Sequence, residues 1–119
     1  MKQIKNKIYL TINGLHEELD RSYELKNELD FDTEFGELVA TTTRIKILKE
    51  FIEIFKLVKK NDKKNEKKYE ILQRTSALTK RCKLHFYQLK KLETENYKDN
   101  VMYFTTLMKV LYSLVINLN

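Results

Sequence analysis

Apolar residues recur every three or four positions through most of the chain, a spacing that predicts amphipathic helices. In the first segment the apolar stripe consists of Ile4, Ile8, Ile12, Leu15, Leu19 and Tyr23. The predicted helices cover residues 2–29, 43–60, 67–92 and 97–118. Residues 30–42 are predicted to be irregular or a short helix, and residues 59–68 a polar loop. The pattern predicts an all-α fold, a compact bundle of four to five helices with no sheet, in a single domain over residues 1–119.

The second helix is predicted to begin beside three consecutive threonines, Thr41 to Thr43. A threonine hydroxyl at a helix start accepts a hydrogen bond from a backbone N–H of the first turn. A helix N-terminus also presents free N–H groups and a partial positive charge. Together with Arg44 and Lys46, this start would offer a place for a phosphate, with an ordinary N-cap as the alternative interpretation.

The last two predicted helices differ in how their apolar residues are distributed. In the third, one heptad-like seam consists of Ile71, Thr75, Leu78, Cys82, His85, Leu89 and Leu92. The fourth carries a face of Val101, Phe104, Met108, Leu111 and Val115, and its other side holds Met102, Leu107, Val110, Leu114 and Leu118. A helix that is apolar almost all round lies at the centre of a bundle or is covered by another chain.

Composition supports long helices and argues against a β-rich fold. The chain has 119 residues, no proline and two glycines, whereas a β-rich domain needs many turns built from those residues. Cys82 is the only cysteine, so no intramolecular disulfide forms and a cytoplasmic location is predicted. The apolar stretch 101–118 contains Lys109 and several hydroxyl groups, so it is interpreted as a core helix and no membrane partner is expected.

The charge is distributed unevenly along the chain. The net charge is +6, yet residues 44–91 alone hold sixteen basic and five acidic side chains. Both flanking segments are mildly acidic. This asymmetry indicates a polyanionic partner, whereas the alternative is that an AT-rich genome has filled solvated faces with lysine. No zinc finger, aromatic RNP signature or Gly-x-x-Gly loop is present, so contact would be with the nucleic-acid backbone, without base reading.

The residues that could carry catalysis are few and poorly arranged. His85 lies on the apolar seam beside Cys82 and is expected to be a satisfied core histidine, and His16 is expected on a solvated face. The pair Arg81 and His85 is close to the Arg-x(4–6)-His motif of small helical ribonucleases, but only three residues intervene. No glycine-rich phosphate loop or metal-ligand spacing occurs, so we expect no enzyme, no cofactor and no metal.

Three stretches resemble one known family. The segment TTTRIK is similar to the Thr-Thr-Ser-x-aliphatic-Arg helix start in the small helical subunits of type III-A CRISPR effector complexes. YEILQRTSALTKRCKLHFYQLKK resembles that family's Tyr-x-x-Leu helix ending in Tyr-Gln-x-x-Arg, and MYFTTLMKVLYSLVINLN resembles its aromatic C-terminal helix. Lys46 and Lys91 stand where the family usually has arginine, which keeps the charge but loses the bidentate fork.

The resemblance implies a non-catalytic RNA-contacting subunit. Such a subunit stacks with copies of itself and with other effector-complex subunits, and it contacts the backbone of guide RNA and target RNA. The motif positions are Arg44, Lys46 and Lys91. Charge alone adds Lys49, Lys80, Arg81 and Lys83. These cations are therefore expected on one surface of the second and third helices.

Two other functions stay open. One is a small helical protein-interaction module, such as an immunity protein, an antitoxin or a phage accessory protein, which would use the fourth helix or the acidic first helix. The other is a helical ribonuclease, against which the spacing of Arg81 and His85 argues.

Overall fold

The computed structural model describes residues 2–60 and 67–118, with side chains from residue 6 onward. The helices are α1 Lys2–Glu28, α2 Phe35–Lys60, α3 Lys68–Lys91 and α4 Tyr97–Ile116. No strand occurs among the described residues, and the all-α prediction is confirmed. Most of the polar loop predicted between the second and third helices falls on residues 61–66, which lie outside the described ranges.

The second helix begins earlier than predicted. α2 starts at Phe35, so the threonines lie inside the helix and the predicted start at residue 43 is wrong. The hydroxyl of Thr42 donates to the carbonyl of Leu38 at 2.8 Å, and that of Thr43 donates to the carbonyl of Val39 at 3.1 Å. Hydroxyls that bond back to the preceding turn allow a helix to continue. The N-cap and phosphate-site interpretations of this segment are therefore both wrong.

A short turn reverses the chain between α1 and α2. The carboxylate of Asp30 accepts hydrogen bonds from the backbone N–H groups of Asp32 at 2.8 Å and Thr33 at 3.4 Å. This Asx-type turn replaces bonds that a helix would otherwise make. The rings of Phe31 and Phe35 meet edge to face with centroids 5.4 Å apart across the turn. Residues 29–34 are thus the whole connection, and most of the segment predicted as irregular belongs to α2.

Helix α2 is the central element of the bundle. It packs against α1, α3 and α4, whereas in the described part of the chain α1 packs closely on α2 alone. The rings of Phe51 and Phe55 stack at 6.5 Å, and Phe51 also stacks on Phe104 of α4 at 6.0 Å. All three rings are fully buried. Because aromatic side chains bury large areas, this cluster supplies much of the contact between α2 and α4.

The apolar seams predicted for the last two helices are largely observed. Six of the seven predicted seam residues of α3 are buried, and only Leu92 is exposed. On the second side of α4, Leu107 is buried, and Val110, Leu114 and Leu118 are partly buried against the core. Most of α4's second apolar side is therefore covered within this chain.

The turn from α3 to α4 is a Schellman motif. The N–H of Glu93 donates to the carbonyl of Lys90 at 3.2 Å, and that of Thr94 donates to the carbonyl of Leu89 at 3.3 Å. Glu93 has a φ of 53°, the left-handed conformation that glycine usually supplies here. The motif turns the chain sharply and brings the start of α4 beside the ends of α1 and α3.

Two leucines on α3 provide a matched test of the core. Leu78 is 0% exposed and Leu84 is 65% exposed. We expect Leu78→Ala to lower the free energy of unfolding by about 2–5 kcal/mol, because it leaves a cavity in the core. Leu84→Ala should change it by no more than about 0.5 kcal/mol. Urea unfolding followed by circular dichroism measures both, and equal effects would contradict this packing.

Candidate functional site

The outward face of α3 carries a row of lysines and tyrosines. Lys80, Lys83, Tyr87 and Lys91 follow one another at helical spacing, and all four side chains are exposed. From residue 71 to residue 92 the sequence contains no acidic side chain. Among the described residues, these three lysines take part in no ion pair within the chain. Their positive charge therefore faces solvent.

Exposed tyrosines accompany the lysines. The ammonium of Lys91 lies 4.8 Å from the ring centroid of Tyr87, and that of Lys49 on α2 lies 5.3 Å from the ring centroid of Tyr23. Cation–π contacts of this kind at exposed sites contribute about 0.5–1 kcal/mol each. They restrain the two lysine side chains without neutralising their charge.

An ion pair joins α2 to α3, and further cations lie near it on both helices. The guanidinium of Arg74 on α3 binds the carboxylate of Glu50 on α2, with Nε to Oε2 at 3.3 Å. Arg81 follows Arg74 by two turns on the same flank of α3, and Lys46 precedes Glu50 by one turn on α2. Lys46 and Arg81 are both exposed.

We define the basic surface as the six predicted cations whose side chains are exposed on α2 and α3. It consists of Lys46, Lys49, Lys80, Arg81, Lys83 and Lys91. Six of the seven cations predicted from the sequence are therefore exposed. They do not form a tight cluster, because they lie on different flanks of the two helices.

The seventh predicted cation, Arg44, points into the protein. Its side chain is only 18% exposed. Nη2 donates to the carboxylate of Glu18 at 3.1 Å, Nε donates to the hydroxyl of Ser22 at 3.2 Å, and Nη1 donates to the side-chain carbonyl of Asn100. The expectation that Arg44 shares one surface with Lys46 and Lys91 is wrong, because two residues along a helix turn a side chain to the opposite side.

Aromatic rings complete the surroundings of Arg44. Its Cζ lies 5.1 Å from the ring centroids of both Tyr103 and Phe104. Burial raises the pKa of the Tyr103 hydroxyl to about 12, and the charge of Glu18 acts in the same direction. Arg44 thus joins α2 to α1 through Glu18 and to α4 through these rings.

A cavity of about 380 Å³ with a mostly apolar lining lies beside Arg44. Every helix contributes to its wall, and the exposed residues Arg21, Leu25, Asn96 and Asp99 mark its opening between α1 and α4. The inner lining includes Ser22, Ala40, Thr41, Arg44, His85, Leu89, Asn100 and Tyr103. The cavity exists because α1 and α4 do not pack directly on each other in the described part of the chain.

His85 is buried in the wall of this cavity with no polar partner. The residue is 1% exposed, and neither ring nitrogen has a hydrogen-bond partner within the described chain. Its ring meets the edge of Phe104 with centroids 5.8 Å apart. Burial, together with the positive charge of Arg44, lowers the pKa of His85 to about 4, so the ring is neutral at neutral pH. His85 is a core residue as expected, but it is not satisfied.

The remaining chemical features offer little for catalysis. Burial raises the pKa of the Cys82 thiol to about 11, which leaves almost no thiolate at neutral pH. Within the described ranges, no group of three or more His, Cys, Asp or Glu side chains is arranged to hold a metal ion. None of the helices, over the residues described, combines the length and hydropathy needed to cross a membrane.

Sequence reasoning missed the residues that hold Arg44. The apolar stripe of α1 was predicted to continue with Tyr23. The structure instead buries Ser22 and leaves Tyr23 exposed. A serine seven residues after the buried Leu15 interrupts the apolar face. That interruption was the available signal, because a polar residue on a core face needs a polar partner on a neighbouring helix.

Comparisons with protein-family models, curated proteins and solved structures each gave no match. The resemblance to the small CRISPR subunits therefore stays a prediction.

Removing Arg44 should destabilise the protein. Arg44→Ala leaves the side-chain carbonyl of Asn100 without its donor and the carboxylate of Glu18 paired with Arg21 alone. We expect the free energy of unfolding to fall by about 2–4 kcal/mol, since a largely buried ion pair and its hydrogen bonds are lost. Arg81→Ala, which removes an exposed arginine, is the control and should change it by no more than about 0.5 kcal/mol. Equal urea midpoints for the two variants would contradict the structural role of Arg44.

Burial of a neutral histidine makes stability depend on pH. Unfolded His85 takes up a proton below its ordinary pKa of 6.5, whereas the folded protein resists protonation down to about 4. The contribution of neutral His85 to the free energy of unfolding is therefore fully present above pH 6.5 and falls as pH drops towards 4. Relative to His85→Phe, the wild type should lose about 3 kcal/mol across this window. Urea titrations of both proteins at several pH values measure the difference in their free energies of unfolding, in which the effects of the other titrating groups cancel. If the free energy of unfolding changes with pH equally in both proteins, His85 is not buried as a neutral ring.

Proposed function

We propose that this protein is a non-catalytic helical subunit that binds RNA through its phosphate backbone. The observation that carries the proposal is the basic surface, whose six exposed cations lie on α2 and α3. Lysine and arginine side chains that neutralise phosphates supply the sequence-independent part of nucleic-acid affinity. Exposed Tyr69 and Tyr87 on the same face of α3 provide rings on which unpaired bases stack.

The charges on α3 support contact with an extended polyanion. Glu70 is the single acidic residue of α3. Arg74 is neutralised by its ion pair with Glu50 of α2. The molecule extends 51 Å, and three lysines of the basic surface follow one another along α3 from Lys80 to Lys91. Arg44 is left out of the proposed site because its guanidinium is engaged inside the protein.

The particular assembly proposed is a type III-A CRISPR effector complex in the cytoplasm. It rests on the resemblance of TTTRIK and of the α3 and α4 sequences to the small helical subunits. In this proposal the partners are guide RNA, target RNA, other effector-complex subunits and further copies of this chain. Base pairing between the two RNAs would supply sequence specificity, while Lys46 and Lys91 contribute charge without the bidentate geometry of arginine.

The alternative function, a protein-interaction module using α4, receives less support. Met102 and Ile116 are 69% and 76% exposed on α4. Thr106, Lys109 and Ser113 lie between them on the outer side of the helix, so the two residues do not form one apolar patch. Binding of a protein partner without RNA would nevertheless be the expected behaviour if the basic surface serves solubility alone.

A salt series separates these functions. We expect single-stranded RNA of about 40 nucleotides to bind with an affinity that falls steeply with salt, because counterions are released from neutralised phosphates. The variant Lys80→Ala/Lys83→Ala/Lys91→Ala should weaken binding and reduce the slope of log K against log salt by about 2. Fluorescence anisotropy of labelled RNA measures both quantities.

The control variant removes the same charge from other faces. Lys7→Ala/Lys98→Ala/Lys109→Ala changes exposed lysines on α1 and α4. It should keep the salt slope close to that of the wild type, because these residues lie outside the basic surface. Equal losses in the two triple variants would mean that net charge alone matters, and no binding at low salt would favour the protein-interaction module.

A further inference from the structure

One end of the molecule is formed by the two tight connections of the chain, residues 29–34 and residues 92–96. The first turn of α2 contacts the second of these connections. The backbone N–H of Glu95 donates to the carboxylate of Glu37 at 3.3 Å, and a Cβ added at Gly36 would lie 3.7 Å from the side chain of Leu92. The two connections and the helix ends beside them therefore make one continuous face.

This face is acidic and carries two exposed aromatic rings. Residues 24–37 and 90–99, which build it, hold nine acidic and four basic side chains. Phe31 and Phe35 lie among the carboxylates and are 65% and 54% exposed. We define the acidic end as these two phenylalanines and the exposed carboxylates Glu28, Asp30, Asp32, Glu34, Glu93 and Glu95. In the described part of the chain, none of these six carboxylates takes part in an ion pair.

The acidic end has the arrangement of a protein-interaction surface. An apolar centre surrounded by charged side chains is the usual anatomy of such surfaces. The carboxylate of Asp30 holds the turn through the N–H groups of Asp32 and Thr33, and the rings of Phe31 and Phe35 pack edge to face. An ordered surface loses little conformational entropy when it binds. Because a polyanion would be repelled here, the partner has to combine cations with an apolar patch.

The outward side of α3 meets both requirements. Lys80, Leu84, Tyr87 and Lys91 follow one another at intervals of three or four residues, and Lys83 lies beside them. We call these five residues the basic row. Leu84 and Tyr87 are 65% and 58% exposed between the lysines. The basic row therefore has the same apolar centre as the acidic end and the opposite charge. Within the described chain the two surfaces form no ion pair with each other.

We propose that the acidic end of one copy of this chain docks on the basic row of a second copy. Phe31 and Phe35 lie against Leu84 and Tyr87, and the carboxylates face the lysines. The contact is heterologous, because the two copies use different surfaces, so further copies can add to the first two. One turn on one helix face is a small contact, and we expect the complex to be transient.

The docking also bears on RNA binding, since the lysines of the basic row belong to the basic surface. Copies docked in this way would cover Lys80 and Lys83, so RNA and the acidic end compete for them. This competition rests on the proposed function, whereas the self-association does not. The proposal names the surfaces through which copies of the chain meet before RNA is bound.

Sedimentation velocity of the full chain tests the self-association. We expect the mean sedimentation coefficient to rise with concentration between about 10 μM and about 1 mM. The rise should be smaller at about 500 mM salt than at about 50 mM salt, because salt screens exposed charges. A chain that stays monomeric over this range at the lower salt concentration overturns the proposal.

Two variants each remove one of the two surfaces. Phe31→Ser/Phe35→Ser removes the apolar centre of the acidic end, and Lys80→Glu/Lys83→Glu reverses charge on the basic row. Each should weaken self-association about tenfold or more. The control, Met102→Ser/Ile116→Ser, removes apolar side chains that are 69% and 76% exposed on α4 and should associate as the wild type does. Because all these side chains are exposed, the variants should fold, which circular dichroism checks.

Mixing the two variants shows whether the two surfaces bind each other. Each variant keeps the surface that the other lacks, so an equal mixture should form a 1:1 complex although neither variant associates alone. The complex should stop at two copies, because its free surfaces are the two altered ones. No complex in the mixture, or self-association of both variants at the wild-type level, overturns the proposal.

RNA binding by the same proteins separates this proposal from the proposed function. Phe31→Ser/Phe35→Ser should bind RNA with the salt slope of the wild type, since its lysines are intact. An RNA of about 10 nucleotides should dissociate wild-type copies, because it occupies the same lysines. If RNA binds and the chain stays monomeric, the docking alone is wrong. If copies associate and no RNA binds, the RNA-binding function alone is wrong.

Discussion

The guanidinium of Arg44 is the contact on which the arrangement of the four helices depends. In the described part of the chain, α1 packs closely on α2 alone, and its backbone does not come close to that of α4. Arg44 spans that gap by binding Glu18 and Ser22 on one side and Asn100 on the other. A largely buried cation needs a matching anion and further acceptors, so the surrounding residues must be polar. The same requirement keeps α1 and α4 apart, and the cavity with His85 in its wall is the consequence.

The position of each cation around its helix decides its role more than the net charge does. Arg44 and Lys46 are two residues apart, yet one lies inside the bundle and the other is exposed. Arg44 and Arg74 are paired within the protein and contribute little to an external field. The lysines of α3 lack such partners among the described residues, so the field that an RNA strand would meet comes mainly from them. Backbone binding without base reading is the behaviour expected of such a surface.

Periodicity predicted the fold well because most of the core is apolar. The seam of α3 from Ile71 to Leu89 is buried as its spacing indicated, and the apolar side of α1 holds Ile8 and Leu15. The errors arose where polar groups were involved. The start of α2 was missed because threonines favour caps but also bond back along a helix. Arg44 was placed on the surface because its partners are 22, 26 and 56 residues away, and no spacing rule relates residues that distant.

His85 is a polar residue that the packing of the core does not require. An apolar side chain at this position would satisfy every requirement of the core, because its neighbours include Phe104 and Phe86. A buried imidazole without partners instead costs about 1–3 kcal/mol of stability. Proteins that violate a folding rule at one place commonly do so at a functional site. The hydroxyl of Thr75, on the same face of α3, also has no hydrogen-bond partner within the described chain. The core face of α3 therefore carries unsatisfied polar groups both beside the cavity and away from it.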